Sequence, residues 1–328
     1  MGTKKKRLAE AANNVFRLRR TADNLNMIIK SGHVGDLIRV TEALQEKQLA
    51  RIAEDIASRP FVRVVLLAGP SSSGKTSTSK RLAVQLMTNM KLPVALSMDN
   101  WFVNRDCTPL DEFGEKDFES IHAVDLPQFN QDLQDLIDGK KIKLPTYNFQ
   151  TGMREYRGDT LQLNHDAILI IEGIHALNPI LTDKLPEDYK YRIFAAPISQ
   201  IALNDNEFIP TYENRLIRRI TRDSQTRNRT AQATIENWPS VRRGEEKWIL
   251  PFRGNADAIF DTAMVYELAA IKDKVTGLLE AVPADSAEYK EAQRLLGYLN
   301  HFEAITDEEI PRTSLLREFI GGSVFDVG

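Results

Sequence analysis

Four short apolar runs punctuate the middle of the chain. Val62-Arg63-Val64-Val65-Leu66-Leu67-Ala68 ends on a glycine, and similar runs fall at 93–98, 167–171 and 191–196. Uninterrupted apolar runs of this length suit strands buried on both faces, as in a parallel sheet. Between them, segments 75–90, 126–138 and 212–222 carry helical spacing. Strands alternating with helices predict a doubly wound α/β layer. Segments 141–147 and 160–163 read as a β-hairpin inserted into it. Ahead of the layer, Leu37, Val40, Leu44, Ile52 and Ile56 recur at mostly helical spacings. Behind it, helical patterns cover 270–280 and 287–298, and a short helix at 315–320 stops at Gly321-Gly322. The expected division is a helical extension over 1–60, an α/β core over 61–268 and a helical extension over 269–328. No internal repeat or low-complexity stretch is evident.

Composition narrows the class. With 328 residues the chain is long enough for about two domains. Its 43 basic and 46 acidic residues give a formal charge of −3, which argues against a dedicated nucleic-acid binder. A single cysteine, Cys107, can form neither an internal disulfide nor a cysteine zinc cluster, so a reducing, cytoplasmic setting is expected. No apolar stretch is long enough to span a membrane. The basic start, residues 1–7, has no apolar signal core behind it, and Lys6 breaks the myristoylation pattern.

The strongest chemical signal follows the first apolar run. Gly69-Pro70-Ser71-Ser72-Ser73-Gly74-Lys75-Thr76 fits the phosphate-loop pattern Gly-x-x-x-x-Gly-Lys-[Ser/Thr]. A phosphate chain needs many donors at close range. A glycine-rich turn supplies backbone N–H groups, and the following helix adds its positive end. Gly69, Ser71, Ser72, Ser73, Gly74 and Ser77 would line the phosphates of ATP. Lys75 would reach the β- and γ-phosphates, and the Thr76 hydroxyl would hold Mg²⁺. No Asn-Lys-x-Asp guanine signature is present. Glu172, at the end of the run Ile168-Leu169-Ile170-Ile171, is a candidate for the metal shell.

Acceptor-side candidates lie further along. Asp99 ends the second run in Ser97-Met98-Asp99, at the crevice beside the phosphate loop, where it would serve an attacking alcohol as base. Arg215, Arg218, Arg219, Arg222, Arg227 and Arg229 set six guanidiniums against one acid, Asp223, a local charge of +5 within 15 residues. Arg227 and Arg229 fall in a polar stretch without apolar periodicity, read as a lid at about 223–240 that closes over the phosphates.

The ordered set resembles the phosphoribulokinase/uridine kinase group over roughly residues 61–268. It comprises the phosphate loop, Ser97-x-Asp99, Pro145-Thr146-Tyr147-Asn148-Phe149 with Arg154, Glu172-Gly173-Ile174, and Arg218-Arg219-Ile220-Thr221-Arg222-Asp223 with Arg227-Asn228-Arg229. The resemblance implies ATP- and Mg²⁺-dependent phosphorylation of a nucleoside 5′-hydroxyl, with uridine or cytidine as acceptor. It casts Asp99 as catalytic base beside Lys75, and Arg219, Arg222, Arg227 and Arg229 as phosphate and lid contacts. Glu119 of Asp117-Phe118-Glu119 would hold the ribose hydroxyls. Phe102, Tyr147, Phe149 and Arg154 would belong to the substrate pocket. Four positions depart from the family pattern: Asn148 replaces an aspartate, Gly152 replaces the histidine that contacts the pyrimidine, and Trp101-Phe102 replaces Phe-Tyr. Polar groups carry most base discrimination, so these changes bear on the acceptor rather than on the transfer chemistry. Two alternatives remain open: a kinase of another small alcohol, such as a sugar phosphate or a pantothenate-like acceptor, and a regulatory module that binds nucleotide without turnover. A nucleic-acid or membrane partner is not expected; self-association is left open. The pattern also resembles the kinase portion of longer bacterial proteins that carry threonyl-tRNA-synthetase-like modules in front, and the basic start is consistent with a cut through such a protein.

Overall fold

Apolar runs become strands and periodic stretches become helices, in the order expected. The computed structural model describes residues 21–204 and 207–327; residues 1–7 and the rest of the first 20 of the N-terminal extension lie outside the described residues. The chain runs through α1 (Ala22–Lys30), α2 (Val34–Ser58), β1 (Val64–Ala68), α3 (Lys75–Thr88), β2 (Leu92–Ser97) and α4 (Leu126–Ile137). It continues through β3 (Ile142–Lys143), β4 (Thr146–Asn148), β5 (Met153–Glu155), β6 (Thr160–Leu161), β7 (Ala167–Glu172) and β8 (Lys190–Ala196). The last elements are α5 (Thr211–Thr226), α6 (Ala231–Trp248), β9 (Ala258–Asp261), α7 (Glu267–Glu280), α8 (Tyr289–Leu299) and α9 (Arg317–Ile320).

Five strands form one parallel sheet in the order β2-β7-β1-β8-β9. Strands β1 and β7 are buried at every position, which is why their sequences read as unbroken apolar runs. Alternate residues serve opposite faces. Val65 and Leu67 join a core shared with α1, α2, α3, α5, α7, α8 and the C-terminal segment. Val64 and Leu66 join a second core with α4, Ile142 and the segment after β7. The register sets Glu172 beside both Leu67 of β1 and Ser97 of β2, so three strand ends meet at one point of the crevice.

Three details differ from expectation. The inserted hairpin carries two short ladders, β3 with β6 and β4 with β5. Its tip is tied by Asn148, whose side-chain oxygen accepts from the N–H groups of Gln150 and Thr151. The fifth strand, β9, was unannounced. The polar lid stretch is helical on both sides of a short link at 227–230. Thr230 caps α6 by accepting from Ala233 N–H at 3.2 Å, and Ala231, Thr234, Ile235, Trp238 and Val241 are buried. Among the described residues, no helix is long and apolar enough to cross a membrane.

Candidate active site

The phosphate loop joins β1 to α3. Ser72 and Gly74 both take left-handed backbone, φ +58° and +86°, the tight turning that an anion-binding loop of this kind needs. The side chains of Ser72, Ser73 and Ser77 are buried with their hydroxyls unpartnered. Lys75 Nζ donates to the Pro70 carbonyl at 3.1 Å, so the ammonium lies folded over its own loop. Thr76 Oγ1 donates to Glu172 Oε1 at 3.4 Å. A hydroxyl and a carboxylate set side by side are hard oxygen donors of the kind Mg²⁺ takes when phosphate oxygens complete its shell.

Asp99 lies in the turn after β2, where Ser97 Oγ accepts from its backbone N–H at 3.4 Å. Burial raises the Asp99 carboxyl above the ordinary range, and the charges of Lys75, Arg227 and Arg222 oppose that rise. Burial also raises Glu172, to about 7, with the Asp99 charge adding to the effect. The two carboxyls, Lys75 and two arginines therefore share one electrostatic space. A desolvated carboxyl is a stronger base than one in water.

Helix α5 fixes the arginines, and the structure divides the six. Arg215 forks onto the buried Glu245, with Nη2 to Oε2 at 2.7 Å, and donates to the Ser71 carbonyl at 3.0 Å. Arg218, fully buried, pairs with Glu267 at 2.6 and 3.0 Å. These two hold α5 against the loop. Arg219 Nη1 reaches Ser71 Oγ at 2.7 Å. Arg222 donates to Asp223 at 2.7 and 2.9 Å. Burial pushes Asp223 up, but Arg222, Arg227 and Arg219 together hold it below its ordinary value. Arg227 stands 4.9 Å over the Phe149 ring. The adjacent Arg222, with burial, brings it down to about 10, so it stays charged at neutral pH. The sequence-level island of +5 is thus answered by Glu245 and Glu267, 30 and 49 residues downstream of their arginines.

Two expected residues point elsewhere. Arg229 Nη2 donates to the Ala233 carbonyl in the first turn of α6 at 2.9 Å. Arg154 pairs with Asp125 at 2.8 Å, which leaves it bracing the hairpin. On the acceptor side, Phe102, Tyr147 and Phe149 form a chain of edge-on rings with centroids 5.6 and 5.1 Å apart. Asn148 is spent on the hairpin turn. Glu119 is buried, with Oε2 unpartnered. Burial raises it to about 7, and the facing Arg219 works against that rise. Asp117 anchors this turn, accepting from Glu119 N–H and from Trp248 Nε1, each at 3.1 Å. Gly244 lets α6 approach, since a Cβ there would lie 2.2 Å from Glu119 Cβ. Sequence reading missed Glu245, Glu267 and the buried His175, which burial brings down to about 4 and keeps neutral. The signal for the two glutamates was the unbalanced arginine cluster, which demands buried acids without saying which; His175 left no signal in the sequence.

A phosphate loop at the centre of a parallel sheet, faced by a carboxylate turn and an arginine helix, defines a P-loop nucleotide-binding protein. The family model for the Phosphoribulokinase / Uridine kinase family matches residues 64–269, and the chain belongs to that family of P-loop kinases. It is similar to the uridine kinase of Ureaplasma urealyticum serovar 10 (strain ATCC 33699 / Western), 27% identical over 59% of this chain and 85% of the relative. It is likewise similar to that of Macrococcus caseolyticus (strain JCSC5402), 27% identical over 60% of this chain and 86% of the relative. Among solved structures, a putative fructose transport system kinase from Silicibacter sp. TM1040 matches 64% of this chain and 98% of its own, at 18% identity and a TM-score of 0.46. A possible uridine kinase from Bacillus stearothermophilus matches 66% of this chain and 98% of its own, at 18% identity and a TM-score of 0.45.

Proposed function

We propose that this protein transfers the γ-phosphoryl group of ATP to the 5′-hydroxyl of a nucleoside, uridine or cytidine foremost. The observation that carries the reading is the meeting of Asp99 and Glu172 at the adjoining ends of β2 and β7 with Lys75 at the start of α3, within reach of the charges of Arg222 and Arg227. The hydroxyl proton passes to the Asp99 carboxylate as the new O–P bond forms. The bond from the γ-phosphorus to its bridging oxygen breaks, and ADP leaves. Lys75, Arg222 and Arg227 face the charge that spreads over the transferring group, and the site's burial strengthens each of these interactions. Thr76 and Glu172 would hold Mg²⁺, which supplies further charge neutralisation when bound. Glu119, with Arg219 beside it, would take the ribose hydroxyls, and the Phe102–Tyr147–Phe149 rings would flank the base.

One observation favours a second acceptor. Where the family's base-reading histidine would stand, Gly152 leaves room for Arg105: a Cβ there would lie 2.7 Å from that side chain. Arg105 Nη2 also donates to the Phe149 carbonyl at 2.6 Å. A guanidinium at the pocket edge suits a phosphorylated sugar alcohol.

Asp99→Asn tests the mechanism. Turnover, followed as ADP release over nucleosides and sugar phosphates, should fall at least about a hundredfold while ATP affinity stays within a few-fold. Unchanged turnover removes Asp99 as base. Activity on sugar phosphates alone selects the second acceptor.

A further inference from the structure

The first turn of α3 offers its N–H groups to whatever lies in the phosphate loop. The first N–H bonded inside the helix is that of Thr78, to the Gly74 carbonyl at 3.0 Å. Those of Lys75, Thr76 and Ser77 precede it and need an outside acceptor. For Ser77 that acceptor is present within this chain. Its N–H donates to Glu318 Oε2 at 3.0 Å, a contact between residues 241 apart in sequence. A carboxylate at a helix N-terminus is the chemical stand-in for a phosphate.

The segment that delivers Glu318 is firmly held. Leu315, Leu316 and Phe319 are fully buried. Leu315 Cδ2 lies 2.8 Å from where a Cβ on Gly74 would be, directly against the loop. The Phe319 ring lies 5.0 Å from the Arg218 guanidinium, and its carbonyl accepts from Gln225 Nε2 at 3.0 Å. Arg317 Nη2 donates to the carbonyls of Asp307 and Ile310 at 2.6 and 2.7 Å. Glu318 itself is 8% exposed. Its charge also reaches Glu172, where it adds to the upward shift.

We propose that Glu318 occupies the seat on α3 that the phosphate chain of a nucleotide must take, making the C-terminal segment a built-in competitor of ATP. The proposal rests on the phosphate-loop reading above. Two anions cannot share one N–H at low dielectric, so the Glu318 side chain swings out when the triphosphate enters. The backbone of the segment stays anchored by its three buried apolar side chains. The apparent affinity for ATP is then reduced by the fraction of molecules in which Glu318 is out.

The test compares the full chain with Glu318→Ala and Glu318→Gln. Titrations with ATP and with inorganic tripolyphosphate are read by calorimetry. Glutamine keeps the size and hydrogen-bonding oxygen without the charge, so it covers the case in which alanine disturbs folding. The expected result is a gain in affinity of about tenfold or more for both ligands. Binding by the variants where the native chain binds too weakly to measure supports the proposal equally. Native binding with equal or weaker binding by both variants overturns it and leaves the kinase reading intact. Absence of ATP binding in all three chains overturns both readings together.

Discussion

Glu119 shows how a single buried acid links the site to stability. Its carboxyl sits between Arg219 and the Asp117 turn, and burial holds it at about 7 against an ordinary value of 4.5. A folded-state value above the unfolded one means that the folded protein favours the protonated form. The corresponding stability is complete below about pH 4.5 and is lost as pH rises through 7. A shift of this size corresponds to roughly 3 kcal/mol. In Glu119→Gln the side chain is neutral throughout. The melting temperature of the native chain should therefore fall relative to the variant between pH 5 and 8. Parallel melting curves across that range would rule out the raised carboxyl. At this scale the sequence was legible wherever placement depends on local order: the phosphate loop, read from its motif, follows β1, and Asp99 and Glu172 lie at the strand ends where the sequence set them. Arg154 and Arg229 were placed by motif, but their partners, Asp125 and the Ala233 carbonyl, follow from packing that a linear pattern does not contain.

Helices α5 and α6 explain why other parts were harder to read. The apolar side of α5 is narrow, because Arg215 and Arg218 occupy inward positions that are usually apolar. Each is stabilised by an acid from a distant element. Buried positions on α6 recur with helical spacing at Ala231, Thr234, Ile235, Trp238, Val241, Gly244 and Glu245. Three of the seven are alanine, threonine or glycine and one is an acid, so the period survives while the hydrophobic signal fades. Strand β9 is four residues long at the sheet edge, too short to register as a run. The inward arginines make a measurable claim. Arg218→Met removes the partner of Glu267 and leaves a buried, unpaired charge, which should cost about 3–5 kcal/mol in guanidinium unfolding. Replacing Glu267 by leucine in the same chain should recover much of that loss, since an apolar pair of similar volume carries no desolvation penalty. Equal losses in the single and double variants would show that the pair acts through shape rather than charge.

Across the whole molecule the two terminal extensions are not appendages. Leu25, Ile28, Leu49, Ile52 and Ile56 from the N-terminal side share one core with Leu82 and Leu86 of α3. Leu295, Leu299, Leu315 and Phe319 from the C-terminal side join the same core, as do Val65 and Leu67 of the central strand. Removing either extension would bare the helices that cover one face of the sheet. Hydrophobic burial of this kind couples the parts, because no one part retains its stabilisation when a neighbour leaves. The chain should unfold in guanidinium as one transition. Its three tryptophans, Trp101, Trp238 and Trp248, all lie within the kinase core, whereas far-ultraviolet circular dichroism reports every helix, those of the extensions included. Coincident midpoints by the two probes are expected. A dichroism loss that precedes the fluorescence change would mean that the extensions melt independently, and that the contacts of Leu82 and Leu86 with α2 contribute little to holding the sheet.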